Sequence, residues 1–316
     1  MRIFACIKVF NEEDYISECI DSIYNFCDRI IVIDSCFAGM EKIVRTDRVN
    51  PNGGSGDDTL SLLRNYPDTE GKIEIRERGF IHGDQTVIYN EFVQSVDVGD
   101  AVWMIDGDEV YPAKVARKVR LALDNDIHAI WMPSRIYWHD FSHIRNGAGW
   151  EKAHQRVYVK LHESAYYEER TLDVKWKDDV GNIYGFGIPP KTTHYRGKDY
   201  NVLMGTLDED SFWYHHYAYV KSDQRMLEKL VSQYYQNEAP KEDAEWNHCK
   251  QFADPVEFKI MTHPFFTNLD FKELRQIEKN CQPLLMMNKW CSHDWNQKRS
   301  TIDYQTALGL LNKAFQ

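Results

Sequence analysis

The segment "RIFACIKVFNEEDYISECIDSIYNFCDRIIVIDS", residues 2–35, decides the fold. Its first nine residues are rich in β-formers and stop at the polar run "NEED", which predicts a strand. The apolar residues that follow recur at helical spacing, namely Ile16, Cys19, Ile20, Ile23 and Tyr24. A second, continuous apolar run, "RIIVIDS", is typical of a parallel strand that is covered on both faces. The segment therefore predicts a strand–helix–strand unit.

The same alternation continues along the chain. After a long polar loop (36–56), "DDTLSLLRNY" predicts a helix, "KIEIRER" a strand, "GDQTVIYNEFVQSV" a helix and "AVWMID" a fourth strand. Pro112 then opens a helix with Val115, Val119 and Leu123 on one side. This order predicts an α/β fold with a doubly wound, mostly parallel, Rossmann-like sheet.

Polar residues stand just past the predicted strand ends. Asn11 and Glu12 follow the first strand, Asp34 ends the second, and Asp106 ends the fourth. Ligands of open α/β sheets bind beyond the carboxyl ends of the strands. We therefore expect a ligand at this edge.

Three acidic residues lie within four positions after "AVWMI", in the run Asp106-Gly107-Asp108-Glu109. Charges this close repel each other unless water, a base or a metal ion compensates them. An Asp-x-Asp pair can hold Mn²⁺ or Mg²⁺ and leave positions open for phosphate oxygens, although an ordinary acidic turn is the better explanation of the pair taken alone. Neither GxGxxG after the first strand nor GxxxxGK[ST] occurs, which argues against dinucleotide and P-loop sites.

Composition limits the partners and the compartment. The chain has 316 residues, a net charge of -11 and seven cysteines without a CxxC pair. The negative charge argues against a surface built on phosphate-backbone contacts. We expect buried free thiols at Cys6, Cys19 and Cys27, and hence a reducing cytoplasm. We expect neither an integral membrane segment nor a signal peptide, since the apolar runs are strand-sized and Lys8 interrupts the first of them.

Four elements in order over about residues 1–111 carry a resemblance. These are a first strand ending in Asn-Glu, a second ending in Asp, the turn "SGDDT" opening a helix, and the Asn-bearing helix before the Asp-x-Asp strand. Together they resemble the family-2-type glycosyltransferases with the GT-A fold. "HHYAYVKSDQRMLEKL", residues 215–230, is similar to a His-Tyr-x-x-Val-Arg/Lys segment of some members. The resemblance implies metal-dependent, inverting transfer of a sugar from a nucleotide diphosphate sugar, foremost a UDP-sugar, to an acceptor hydroxyl.

The resemblance also implies roles for individual residues. The nucleotide sugar would be bound by Asn11, Glu12, Asp34, Asp58 (or Asp57), Asn90 and Asp106. Mn²⁺ or Mg²⁺ would be held by Asp106, Asp108 and His216, with Asp108 central to catalysis. These roles suit the chemistry, because carboxylates accept hydrogen bonds from imide and ribose groups and neutral imidazole binds Mn²⁺.

Two departures from the family pattern affect these assignments. The connection between the second strand and the "SGDDT" turn is about twenty residues longer than is usual in the family. This length weakens the assignment of Asp57 and Asp58 to the nucleotide pocket. The usual downstream motif of the catalytic base is missing, so Glu163, Asp178 and Asp179 are its candidates. Glu163 is preferred because a His-Glu pair recurs in related sequences.

The expected organisation is a glycosyltransferase domain over 1–222 and a helical C-terminal extension over 223–316. Within the first, about 1–111 forms the nucleotide-sugar half and about 112–222 the acceptor half. The acceptor could be a glycan, a lipid-linked sugar, a protein or a modified nucleobase.

Other functions stay open at this point. A sugar nucleotidyltransferase shares the architecture, but "NEEDY" stands where its Gly-rich loop is expected. A non-catalytic carbohydrate-binding protein, or the same transfer onto a hydroxylated DNA base, are further alternatives. Individually, Asn11 and Glu12 could cap a helix, Asp34 could belong to a turn, and His216 could be a buried structural histidine.

Overall fold

The structure is a computed structural model. It describes residues 1–38, 48–83, 85–138, 141, 143–144, 153–168, 173–186, 193–208, 210–221 and 282–283.

The helices and strands follow in chain order. They are β1 (Ile3–Val9), α1 (Ile16–Ile23), a 3-10 turn (Tyr24–Phe26), β2 (Arg29–Phe37), α2 (Thr59–Arg64), β3 (Ile73–Ile81), α3 (Thr86–Gln94), β4 (Ala101–Asp106), β5 (Glu109–Val110), α4 (Ala113–Asp124), β6 (Ile127–Met132), β7 (Ser134–Trp138), β8 (His143–Ile144), β9 (His154–Val159), β10 (Tyr166–Tyr167), β11 (Val174–Lys177), β12 (Ile183–Gly185), β13 (Thr193–Tyr195), β14 (Lys198–Met204), β15 (Tyr214–Tyr219) and β16 (Gln282–Pro283).

The core of the molecule is an eight-stranded sheet in the order β13-β14-β6-β9-β4-β1-β2-β3. Its β4-β1-β2-β3 part is parallel throughout, as is the β14-β6 pair. The predicted α/β class with a mostly parallel sheet is confirmed. Two strands run in the opposite direction: β9 is antiparallel between β4 and β6, and β13 is antiparallel to β14 at the end of the sheet.

Both faces of the sheet are covered, as the continuous apolar strands predicted. Helices α1, α2 and α4 pack on one face, with Ile20, Leu63 and Val119 in the shared core. Helix α3 packs on the other face, together with residues of the small sheet β10-β11-β12 such as Trp176. The doubly wound arrangement leaves the carboxyl ends of β1, β2 and β4 at one common edge.

A second, smaller sheet closes over this edge. Its order is β16-β8-β7-β15-β5, and β15 pairs with β5 so that His216 lies opposite Glu109. Alternation along β15 sends neighbouring side chains to opposite faces. His215 is accordingly buried beside Tyr137, and His216 turns towards the strand ends.

Most of the predicted C-terminal extension lies outside the described residues. Gln282 and Pro283 are an exception, and they pair with β8 as a two-residue strand. The extension that was predicted to be helical is therefore extended at these two residues, and proline lacks the N–H that a helix interior needs. Among the described helices, none is long and apolar enough to cross a membrane.

The predicted free thiols are confirmed for Cys6, Cys19 and Cys27, which are all buried. Cys36 is a fourth buried free thiol, because β2 continues to Phe37 where the sequence predicted a loop. The continuation pairs Cys36 with Phe80 of β3 after a register shift at Asp34.

Candidate active site

Asp106 ends β4 between two cations. Its carboxylate lies 3.1 Å from the Lys8 ammonium of β1 and 3.4 Å from the Arg156 guanidinium of β9. Burial by itself would raise the pKa of Asp106, but Lys8 and Arg156 outweigh it and hold the pKa well below its usual range. Asp106 is therefore ionised, and 22% of its side chain faces solvent.

Glu109 is buried inside the same charge network. Its two carboxylate oxygens accept hydrogen bonds from Arg156 and, at 3.0 Å, from the Tyr111 hydroxyl. Burial raises the pKa of Glu109, and the Arg156 charge opposes that rise. Arg156 also donates to Tyr214 of β15, so this network ties β4, β9 and β15 together.

Asp108 lies between a histidine and a lysine of the second sheet. One carboxylate oxygen is 3.3 Å from Nε2 of His216, and the other is 3.3 Å from Nζ of Lys221. Only 3% of the Asp108 side chain is exposed, compared with 19% for His216. Among the described residues, Lys8, Arg156 and Lys221 therefore compensate the charge of the acidic run.

The donor atoms at this edge fit a divalent cation. Asp106, Glu109 and His216 each offer one ligand atom within 4.8 Å of the others. Asp108 and His216 are 3.3 Å apart, and two neighbouring ligands of an octahedral ion with bonds of 2.0–2.1 Å are about 3 Å apart. Carboxylate and imidazole donors suit Mg²⁺ or Mn²⁺. Glu109 is the least available of these groups because Arg156 and Tyr111 already bind both of its oxygens.

Asp34 lies under the chain that returns from the long loop. It is buried and accepts hydrogen bonds from the Ser55 backbone N–H at 2.9 Å and the Ser55 hydroxyl at 2.5 Å. Burial raises the pKa of Asp34 to about 6, and the bonds from Ser55 limit the rise. Recognition of a base by Asp34 stays a prediction, and in this structure the carboxylate anchors the loop.

This burial predicts a pH dependence of stability. Between the unfolded pKa of about 4 and the folded pKa of about 6, the folded protein holds a proton on Asp34 that the unfolded chain has lost. Raising the pH from 4 to 7 should therefore destabilise the wild type relative to Asp34→Asn by roughly 2 kcal/mol. Urea unfolding of both proteins at several pH values measures the difference. Parallel profiles would show that Asp34 is not the titrating group.

Asn11 supports the same returning chain. It adopts a left-handed backbone (φ 53°), its backbone N–H donates to the Ser55 hydroxyl, and its side chain bonds Arg48 and Gly56. Asp57 accepts from the Thr59 backbone N–H at the start of α2, whereas Asp58 is exposed. The structure therefore brings Asn11 and Asp34 together through Ser55 and leaves Asp58 outside the cluster.

Glu12 contributes to two features at once. Its carbonyl accepts the N–H groups of Tyr15 and Ile16 where α1 begins, which is the predicted alternative of a helix-capping residue. Its carboxylate, 2.5 Å from the Lys221 ammonium, also joins the acidic cluster. Glu12 thus lies at the candidate site, and contact with a nucleotide stays a prediction.

Asn90 does not lie with the acidic cluster. Both polar atoms of its side chain bond the backbone of Tyr167, at 3.1 and 2.6 Å. This contact ties α3 to β10 on one face of the sheet. In this structure the Asn90 side chain makes a structural contact, and its role in nucleotide-sugar binding stays a prediction.

Glu163 lies at the opposite edge of the sheet. It pairs with Lys160, whose backbone bonds Asp100 at the start of β4. Because β9 is antiparallel to β4, this end of β4 is about 17 Å from Asp106 along the strand. The structure therefore places Glu163 away from the acidic cluster, and its role as the catalytic base stays a prediction.

The two other base candidates share that edge with Glu163. Asp179 contacts His162 and Arg196, and Asp178 accepts bonds within its own turn, from Val180 and Asn182. Neither joins the acidic cluster.

Four site residues had no assigned role in the sequence analysis, namely Lys8, Glu109, Arg156 and Lys221. A signal existed for two of them, since Lys8 interrupts an apolar strand and Glu109 continues the acidic run. Lys221 stands at the Arg/Lys position of the His-Tyr-x-x-Val-Arg/Lys segment but received no role there. Arg156 carries no local signal, because the contacts that define it come from strands distant in the sequence.

Comparisons with known proteins give distant likenesses. No protein-family model and no curated protein matches the chain. Among solved structures, residues 1–349 of TarS from S. aureus in complex with UDP-GlcNAc are 13% identical, with 100% of this chain and 82% of that chain covered and a TM-score of 0.38. The same protein with UDP is 14% identical (87% and 78% covered, TM-score 0.39). The mannosyltransferase PcManGT from Pyrobaculum calidifontis, in complex with GDP-Man and Mn²⁺, is 13% identical (99% and 85% covered, TM-score 0.37). At these scores the likeness carries no assignment of a site.

Proposed function

We propose that the chain is a divalent-cation-dependent glycosyltransferase. It would move a sugar from a nucleotide diphosphate sugar, foremost a UDP-sugar, to an acceptor hydroxyl with inversion. The observation that carries the proposal is the meeting of Asp106, Glu109 and His216 at the carboxyl edge of a parallel sheet, with Asp108 in contact with His216. That edge is where doubly wound sheets bind ligands, and these donors suit a cation that binds phosphate oxygens.

Each residue at this edge has a separate role in the proposal. Asp108 and His216 would hold the cation, and the ionised Asp106 would bind ribose hydroxyls or water on the cation. Lys8 and Arg156 keep Asp106 ionised and fixed in place. A cation held there would offset the charge that develops on the leaving diphosphate.

The net charge of the cluster supports a cation. Four carboxylates, of Glu12, Asp106, Asp108 and Glu109, meet three side-chain cations, Lys8, Arg156 and Lys221. The three cations balance the carboxylates when the buried Glu109 is protonated, the form that its burial favours, and fall one charge short when Glu109 is ionised. The described side-chain cations therefore leave no surplus positive charge for a diphosphate, and a divalent cation would supply it.

Product analysis tests the proposal. UDP-glucose, UDP-GlcNAc and GDP-mannose are incubated with the protein and Mn²⁺, and transfer to water is followed as nucleoside diphosphate release. Release from at least one donor, and its loss with a chelator, is expected. Pyrophosphate release from a nucleoside triphosphate with a sugar phosphate would instead indicate a nucleotidyltransferase. Absence of any donor cleavage would contradict the proposal and leave a carbohydrate-binding protein.

A further inference from the structure

Lys221 follows β15 and carries a buried ammonium group. Only 1% of its side chain is exposed. The ammonium lies 2.5 Å from a carboxylate oxygen of Glu12 and 3.3 Å from a carboxylate oxygen of Asp108. A buried ammonium is tolerated only when it is paired, so these two contacts hold the side chain in place.

The contacts of Lys221 connect three segments that are distant in sequence. Glu12 belongs to the turn after β1, Asp108 to the turn after β4, and Lys221 itself to the end of β15. Neighbouring contacts join the same segments, since the Tyr15 hydroxyl donates to the Val220 carbonyl and the Tyr217 N–H donates to the Asp108 carbonyl at 3.0 Å. The end of β15 is therefore docked on the strand ends through these polar contacts and through an apolar cluster that includes Tyr15, Tyr217 and Val220.

This docking determines how Asp108 and His216 meet. One oxygen of Asp108 faces Lys221, and the other faces Nε2 of His216. Rotation of the carboxylate would break both ion contacts at once. The position of His216, five residues before Lys221 on the same strand segment, depends on the same anchoring.

We propose that Lys221 is a positioning residue that docks β15 onto the ends of β1 and β4 and so sets His216 opposite Asp108. The inference rests on the proposed function in one respect: only there are Asp108 and His216 the cation ligands that Lys221 would bring together. The anchoring itself depends only on the contacts of Lys221.

Amide hydrogen exchange of Lys221→Met tests the anchoring. Methionine keeps most of the apolar stem and removes the ammonium. Protection at the Tyr217 and Val220 amides, relative to Ile7 and Trp103 in the central sheet, should fall at least about tenfold because β15 opens locally. Lys221→Arg should recover part of the protection, since it restores the charge with a different geometry.

Lys160→Met is the matched control. Lys160 is also a buried lysine (3% exposed), and it bonds the Val96 carbonyl and Glu163 at the opposite edge. The protection ratio is the protection of the Tyr217 and Val220 amides divided by that of Ile7 and Trp103. Lys160→Met should leave this ratio unchanged, whatever it does to global stability. If Lys221→Met does not fold, Glu12→Gln removes one of the two carboxylate partners and should lower the ratio by about threefold.

The outcomes separate this inference from the proposed function. An unchanged ratio in Lys221→Met, or in Glu12→Gln where only that variant folds, overturns the positioning role. An equal fall in Lys160→Met also overturns it. Saturating Mn²⁺ should raise wild-type protection at Tyr217, because the ion would link Asp108 to His216. If Mn²⁺ has no effect while Lys221→Met still lowers the ratio, the cation site fails and the role of Lys221 stands.

Discussion

Asp108→Asn is expected to lower turnover of the nucleotide sugar at least about 10³-fold, since a cation at this edge supplies several kcal/mol of charge stabilisation to the leaving diphosphate. The amide keeps the shape of the side chain but binds a divalent cation poorly. Turnover is measured as nucleoside diphosphate release over a range of Mn²⁺ concentrations. Near-full turnover of the variant in excess Mn²⁺ would contradict the assignment of Asp108.

Asparagine is chosen because Asp108 is buried. It is 2% exposed and contacts both His216 and Lys221, so alanine would leave Lys221 with fewer partners in a buried site. Alanine at this position is therefore expected to cost stability as well as turnover.

Asp100→Asn is the control for the Asp108 variant. Asp100 precedes the same strand, is largely buried, and pairs with Arg2 at the opposite edge of the sheet. This variant should lose stability and keep turnover. A comparable loss of turnover in both variants would mean that the effect of Asp108→Asn comes from the fold.

His216→Ala and His215→Ala are expected to separate function from stability. His216 faces Asp108, so its removal should weaken Mn²⁺ binding at least about tenfold and lower kcat. His215 is buried, bonds the Tyr137 hydroxyl at 2.7 Å and packs against Trp213. Burial lowers the pKa of His215 to about 3, so it is neutral at physiological pH. Its loss should cost about 2–4 kcal/mol of stability with little change in Mn²⁺ affinity.

Calorimetric Mn²⁺ titration and urea unfolding of the two histidine variants give the comparison. The two residues are adjacent and on opposite faces of one strand, which makes each the control for the other. Equal Mn²⁺ affinity in both variants would remove His216 from the cation site.

The parallel part of the sheet was predictable because its signals are local. The apolar runs of β1, β2 and β4 and the spacing of Ile16, Ile20 and Ile23 in α1 each depend on neighbours within a few residues. The rule that ligands bind beyond strand ends then pointed to the edge formed by the carboxyl ends of β1, β2 and β4, where Asp106 and Asp108 lie.

The rest depends on contacts between distant segments. Strand β9 enters the sheet antiparallel to β4, which carries Arg156 to Asp106 and Glu163 away from it. The apolar periodicity of a strand does not show whether it runs parallel or antiparallel to its neighbour, so the sequence does not show to which edge Arg156 and Glu163 are carried. Likewise, Ser55 returns across the long loop to bury Asp34, and no local pattern reports that contact.

The central claim is that the acidic strand ends bind a nucleoside diphosphate through a divalent cation. Calorimetric titration of the wild type and Asp108→Asn with UDP and with GDP, each with and without Mn²⁺, tests it most directly. The account predicts that one of the two binds the wild type with Mn²⁺ at least about a hundredfold more tightly than without it, and that Asp108→Asn loses this gain. Equal affinity with and without Mn²⁺, or an undiminished gain in Asp108→Asn, would contradict the account.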